Sequence, residues 1–540
     1  MTVAEFVGTA LARLGVGHAF GVVGSGNFHV TNALRGAGVP FVAARHEGGA
    51  ATMADAWART TGRPAVLTVH QGCGLTNAMT GIAEAAKSRT PLLVLAAETG
   101  AAAVRSNFRI DQDALATAVG AVADRVHTPE SASADVVRAY RTAVEQRRTV
   151  VLNLPLDVQA AAVPEAWLPA VPVLAPVRPA AGAVDELAAL IAAAERPVFV
   201  AGRGARGAGR ELRALGAASG ALLATSAVAH GLFVGDEFAL GISGGFASPL
   251  AAELIRDADL VVGWGCALNM WTTRHGTLLG PAAGVVQVDL EADAIGMHRP
   301  VDLGVVGDVA ATATDVLATV APRTGYRTDA VRTAIATRSR WRDVPYDDLT
   351  DAAGIDPRTL SIGLDDVLPR ERTVAVDSGN FMGYPSAYLA VPDEAGFCFT
   401  QAFQSIGLGL ATGIGAALAR PDRLAVAALG DGGALMAAAE LETVARLGLP
   451  MVVVVYDDHG YGAEVHHFPD ADHTTVTFPD VDLAAVARGY GFEAVTIRTP
   501  GDLKSVADWV AGPRRAPLLV HAPIASDGGS WWLAEAFRGH

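Results

Sequence analysis

The chain has 540 residues, 51% hydrophobic and 18% charged, with 41 basic against 56 acidic residues and a net charge of −15. This composition excludes a disordered chain, and its acidic balance argues against a protein that grips a nucleic-acid backbone. Cys73, Cys266 and Cys398 lie too far apart for a disulfide framework or a zinc motif, so a reducing, cytoplasmic compartment is expected.

In chain order, the N-terminal stretch mixes Glu5 and Arg13 into a helix-like pattern and lacks the basic-then-apolar layout of a leader. Short Val/Leu/Ala-rich runs then alternate with helical patterns. Strands are predicted at 20–23, 65–69, 92–96 and 150–154, then at 197–201, 260–264 and 285–290, then at 373–376, 424–429, 451–456 and 517–521. Runs that are apolar on both faces and separated by helices read as parallel sheets. The longest, 451–456, is far too short to span a membrane. Two stretches read as linkers: 163–184, with Pro164, Pro169, Pro172, Pro176 and Pro179, and the polar, arginine-rich 322–357. The predicted fold is α/β, with three doubly wound parallel-sheet domains at 1–165, 185–322 and 355–530.

The strongest local signal lies in residues 424–464. A strand ends at Leu429, then Gly430, Asp431, Gly432 and Gly433 lead into a helical pattern. Glycines at such a turn let backbone N–H groups approach an anion, and the helix start adds a favourable dipole. Asp431 suits a carboxylate that holds Mg²⁺ against a diphosphate. The next strand ends in Asp457-Asp458-His459-Gly460, and adjacent parallel strands would bring Asp431 and Asp458 together at their carboxyl ends. A single glycine–aspartate turn is equally an ordinary polar turn; the second acidic turn favours a site.

This segment resembles the cofactor motif of thiamine-diphosphate enzymes, in which two asparagines usually stand where this chain has Asp457-Asp458. The resemblance implies Mg²⁺ ligation by the side chains of Asp431 and Asp458 and by the Gly460 carbonyl. It places Gly430, Gly432, Gly433 and Tyr461 against the cofactor. The added carboxylate favours metal and disfavours diphosphate.

Residues 18–34 and 41–98 are similar to the pyrimidine-binding domain of the acetolactate synthase and benzoylformate decarboxylase group. Glu47 falls on the glutamate that pairs with the aminopyrimidine ring, and Gly72, Gly74 and Asn77 fall on the glycine loop. Alone, Glu47 would read as a solvated residue at a helix start. The chemistry needs such a carboxyl group, because it favours the tautomer whose nitrogen can take the proton from the thiazolium carbon. In residues 399–418, Ile406 falls on the bulky apolar residue between the two cofactor rings, although a core isoleucine is an equal reading. The resemblance gives the Gln404 carbonyl to the aminopyrimidine; upstream, Asp377-Ser378-Gly379-Asn380 follows a predicted strand, which puts Asn380 within reach of the diphosphate.

Substrate-contact candidates are Ser25, Asn27, His29, His70, Gln71, Glu464, His466 and His467. His70 falls on an active-site histidine of benzoylformate decarboxylase-like enzymes, and Glu464 on a catalytic glutamate of pyruvate decarboxylase-like ones. Both suit general acid–base work near neutral pH. His466 and His467 equally suit surface positions. The middle segment carries Gly202-x-Gly204-x-x-Gly207, but the strand that follows, at 221–226, offers no acidic end for a ribose, which argues against a nicotinamide cofactor. The resemblance allows FAD there; an empty middle domain is the preferred expectation.

The resemblance covers nearly the whole chain. It implies thiamine diphosphate and Mg²⁺, and decarboxylation of a 2-oxo acid followed by carboligation to a second carbonyl, as in acetolactate synthase. Simple decarboxylation to an aldehyde is the alternative that His70 and Glu464 favour. A non-catalytic relative is the third, resting on the altered Asp457-Asp458 turn. Active sites are expected between the first domain of one subunit and the third of another, in a homodimer or homotetramer. No nucleic-acid or membrane partner is expected.

Overall fold

The computed structural model describes residues 1–164, 167–527 and 531–532. Residue 165, the predicted end of the first domain, and residues 528–530, at the predicted end of the third, lie outside them.

Three six-stranded sheets are flanked by helices, and every pairing between named strands is parallel. The first sheet comprises β1 (His18–Gly21), β2 (Phe41–Ala43), β3 (Ala65–Val69), β4 (Leu92–Glu98), β5 (Val122–Arg125) and β6 (Thr149–Pro155), in the order β2-β1-β3-β4-β6-β5. The middle sheet comprises β7 (Pro197–Ala201), β8 (Leu222–Thr225), β9 (Ala239–Ile242), β10 (Leu260–Trp264), β11 (Gly284–Asp289) and β12 (Leu303–Val306). Its order, β12-β11-β10-β7-β8-β9, reverses between β7 and β10, as in a doubly wound dinucleotide fold. The third sheet comprises β13 (Arg372–Val376), β14 (Phe397–Phe399), β15 (Leu424–Gly430), β16 (Val452–Asp457), β17 (Glu493–Thr496) and β18 (Leu518–Pro523). Its order, β14-β13-β15-β16-β18-β17, repeats the first sheet strand for strand.

One apolar core joins the first and third sheets. Phe20, Met53, Leu67 and Ile82 belong to the same buried cluster as Leu410, Ile414, Val453 and Leu519. Its centre is the contact of helix Glu47–Thr61 with helix Gly409–Ala419, both rich in alanine and glycine, which lets the backbones approach closely. A Cβ on Gly415 would stand 2.3 Å from the Met53 carbonyl oxygen. The middle sheet keeps two cores of its own. The arginine-rich stretch read as a linker is folded against it. There the helix Asp329–Arg338 buries Ile335, and the Tyr326 hydroxyl donates to the Leu254 carbonyl at 3.2 Å.

Candidate active site

The parallel pairing of β15 with β16 sets Gly430 beside Tyr456, so both acidic turns leave the same sheet edge. They open on a cavity of about 260 Å³. Gly430, Asp431, Gly432 and Gly433 form one wall; Asp458, Gly460, Tyr461 and Glu464 a second; Asn380, Gln404 and Ile406 a third. A Cβ on Gly432 would come within 2.7 Å of the Tyr461 ring, so the wall leaves no room for a side chain there. Gln404 and His459 hold left-handed backbone, φ 63° and 61°, where non-glycine residues carry strain and functional loops concentrate.

Asp431 is 8% exposed, and its carboxyl group is pushed up to about 7, by burial first and then by Asp458 and Asp457. Burial pushes Asp458 up to about 6, although the Asn380 amide donates to its Oδ2 at 3.1 Å. A buried and a half-buried carboxyl group lining one cavity, both held above the usual carboxylate range mainly by burial, fit a divalent cation. With Gly460 they line the cavity, and their oxygens are of the kind a hard cation such as Mg²⁺ would take, with a diphosphate and water completing its six donors. Among the described residues, no group of three or more His, Cys, Asp or Glu is gathered for a metal. Asp457 is not part of the cavity lining. It accepts from His521 Nε2 at 2.6 Å and from the His459 N–H at 3.0 Å; burial opposes its charge, but these partners hold it below the usual carboxylate range. The first of the two aspartates therefore has a partner on β18 that local sequence could not reveal.

Asp377, at the end of β13, was also missed as a site residue. Its carboxyl group accepts from the N–H groups of Ser378, Gly407 and Leu408 at 2.9, 3.0 and 3.1 Å, and burial pushes it up to about 6. It thereby anchors the loop that presents Ile406. Glu464 lies on the short helix Gly462–His467 and reaches the cavity; His466 and His467 follow it, half-buried and outside the cavity wall.

The first domain gathers a second group. Helix Glu47–Thr61 starts where the His46 ring accepts from Gly48 N–H at 3.0 Å, and ends at Gly62 with φ +70°. Its first residue, Glu47, accepts from the Asn77 amide at 3.1 Å. The Gly72 turn, φ +63°, is fixed by its N–H donating to Gln112 Oε1 at 3.0 Å, a support that sequence reading missed. His70 Nδ1 lies 3.0 Å from the Gln71 carbonyl, its Nε2 lies 3.4 Å from Ser25 Oγ, and its ring meets Phe108 edge-on. Gln71 is buried, and His29 is exposed beside Phe28. Asn27 is 0% exposed; its side chain accepts from Gly24 N–H and donates to the Val22 carbonyl and Thr68 Oγ1, so it holds the turn that carries Ser25. None of these first-domain residues lines the cavity of the same chain.

In the middle domain, a Cβ on Gly202 would meet the Gly265 carbonyl oxygen at 2.2 Å, and one on Gly204 the Gly265 Cα at 2.9 Å. Close approach of the β7 and β10 ends accounts for both glycines.

Three family models match in order. They are described as the N-terminal TPP binding domain, the central domain and the C-terminal TPP binding domain of thiamine pyrophosphate enzymes, and match residues 1–118, 184–316 and 377–522. The chain belongs to the thiamine-pyrophosphate enzyme family. Among its relatives, sulfoacetaldehyde acetyltransferase of Rhodobacter capsulatus is 29% identical over 580 residues, covering 100% of this chain and 96% of the relative. A probable 2-ketoarginine decarboxylase of Pseudomonas aeruginosa is 29% identical over 520 residues, covering 93% and 90%. A probable acetolactate synthase large subunit of Methanocaldococcus jannaschii is 25% identical over 536 residues, covering 93% and 88%.

Proposed function

We propose that the chain is a thiamine-diphosphate- and Mg²⁺-dependent enzyme that decarboxylates a 2-oxo acid and joins the remaining acyl unit to a second carbonyl, giving an acyloin or acetohydroxy acid. The observation that carries this reading is the cavity at the β15–β16 edge, where facing carboxyl groups, glycine turns and an apolar side chain share one space. When bound, the cofactor supplies the carbon nucleophile and the electron sink for loss of CO₂.

The chain's own residues do the rest. Asp431, Asp458 and the Gly460 carbonyl hold the cation, while Gly430, Gly432 and Gly433 leave room for the diphosphate, with Tyr461 and Asn380 beside it. The Gln404 carbonyl orients the aminopyrimidine, and Ile406 packs between the rings. Glu47, oriented by Asn77 beside the Gly72 turn, holds a proton at the pyrimidine nitrogen. His70 and Glu464 exchange protons with the substrate. Ser25, His29, Gln71, His466 and His467 surround it, and Asn27 shapes the Ser25 turn.

Because Glu47 and the cavity do not meet within one chain, a second copy would complete each site, in a homodimer or homotetramer. The middle domain is assigned no flavin. Three free thiols suit the cytoplasm, and among the described residues no helix is long and apolar enough to cross a membrane. A second reading, simple decarboxylation to an aldehyde, is favoured by Glu464 reaching the cavity. The joint presence of Glu47 and Asp431 speaks against a non-catalytic relative.

Product analysis by mass spectrometry tests the proposal. The protein is incubated with thiamine diphosphate, Mg²⁺ and a panel of 2-oxo acids, each with and without an aldehyde acceptor, sulfoacetaldehyde included. A coupled product is expected. Aldehyde and CO₂ alone would transfer support to the second reading, and absence of turnover with every donor would overturn both.

A further inference from the structure

The three domains meet at a buried cluster of charge that the proposed chemistry does not use. Arg59, on helix Glu47–Thr61, pairs with Glu84, on helix Cys73–Lys87, at 2.6 Å. Arg59 also donates to the Phe399 carbonyl at 3.0 Å. From the middle domain, Arg206 donates to the carbonyls of Arg59 and Glu394 at 2.7 and 2.6 Å, and Arg203 donates to the Ser88 carbonyl.

The Glu84 side chain is 0% exposed. It accepts from Ser88 Oγ, at the cap of its own helix, at 3.1 Å. It also crosses to the third domain, where Oε1 accepts from the Ala402 N–H at 3.2 Å and Oε2 from the Phe403 N–H at 2.7 Å. Lys87, in the last turn of the same helix, lies over the Phe403 ring. The segment so held is exposed and irregular at 402–404, and it runs directly into Gln404 and Ile406 of the cavity wall. Its far end is held by Asp377 through Gly407 and Leu408.

We propose that Glu84 is a positioning residue for the cofactor loop: from the first domain it fixes the backbone that sets Gln404 and Ile406 in the cavity of the same chain. This rests on reading the cavity as the thiamine-diphosphate site. A charged acceptor is suited to the task, because carboxylate-to-N–H bonds are about twice as strong as neutral ones and two of them fix direction as well as distance. Burial opposes the charge on Glu84, but Arg59 and the two N–H groups outweigh it and hold the carboxyl group below its ordinary range.

The test uses the full-length protein with thiamine diphosphate and Mg²⁺, comparing the parent, Glu84→Gln and Phe403→Pro. The glutamine keeps the shape but not the charge. The proline removes the donor from the exposed side and leaves the Glu84–Arg59 pair intact, so it serves if the buried substitution fails to fold. Cofactor affinity is read by quenching of tryptophan fluorescence, and hydrogen exchange is read in residues 400–408 without cofactor. Each folded variant is expected to bind cofactor roughly tenfold more weakly, the cost of one lost charge-assisted hydrogen bond, with turnover at saturating cofactor nearly kept and loop exchange faster. A merely structural role would lower the active fraction and leave affinity unchanged. Affinity and loop exchange equal to the parent's in a folded variant would overturn the proposal. A parent that binds no cofactor would instead overturn the reading of the cavity, and the exchange measurement would still decide whether Glu84 holds the loop.

Discussion

Asp458 is one of two adjacent aspartates where the resembled motif usually has asparagines, and it lies beside Asp431 in a mostly buried space. A second carboxylate strengthens attraction for a cation and repels a diphosphate. Asp458→Asn is therefore expected to weaken Mn²⁺ binding to the cofactor-free protein roughly tenfold, and to tighten thiamine diphosphate binding once metal is saturating. Calorimetric titration in that order checks both halves, and unchanged metal affinity would remove Asp458 from the ligand set. That Asp431 and Asp458 come together at one sheet edge was legible in the sequence, because each sits in a short motif beside a strand end. Asp377, Gln112, Glu84 and His521 were not. Gln112 meets Gly72 across 40 positions and Glu84 meets Phe403 across 319, and no local pattern records such pairings.

Among the elements, the central strands announced themselves and the edges did not. β3, β4, β15 and β16 are buried on both faces and read as largely apolar runs, whereas β5 and β17 are short and half-exposed, so their sequences carry little of that signal. The arginine-rich stretch misled for a related reason: its burial rests on a few residues, among them Tyr326 and Ile335, amid polar neighbours. The contact between helices Glu47–Thr61 and Gly409–Ala419 depends on missing side chains. Gly415→Val is expected to force them apart and lower stability by about 1–3 kcal/mol, read as a lower melting temperature with weaker cofactor binding. A melting point equal to the parent's would mean that the two helices can separate at little cost.

For the whole molecule, the division of the candidate residues into two groups on one chain makes an assembly-level prediction. Glu47→Gln and Asp431→Asn proteins should each be inactive alone. If each site takes Glu47 from one copy and Asp431 from another, unfolding and refolding them together should restore roughly a quarter of parental turnover, because random pairing of a two-fold dimer leaves that share of sites intact. No recovery would place both residues in a site built by a single chain. The substrate was not legible at any scale, since it depends on side-chain volumes around an assembled pocket. The core shared by the first and third sheets has a further consequence, in time. Helix Glu47–Thr61 leaves the ribosome long before helix Gly409–Ala419 exists to cover it, a delay on the order of tens of seconds at ordinary rates of synthesis. The middle domain, with cores of its own, can fold in that interval. The first domain meanwhile waits with an apolar face open to water, and it is there that a holding chaperone would have most to do.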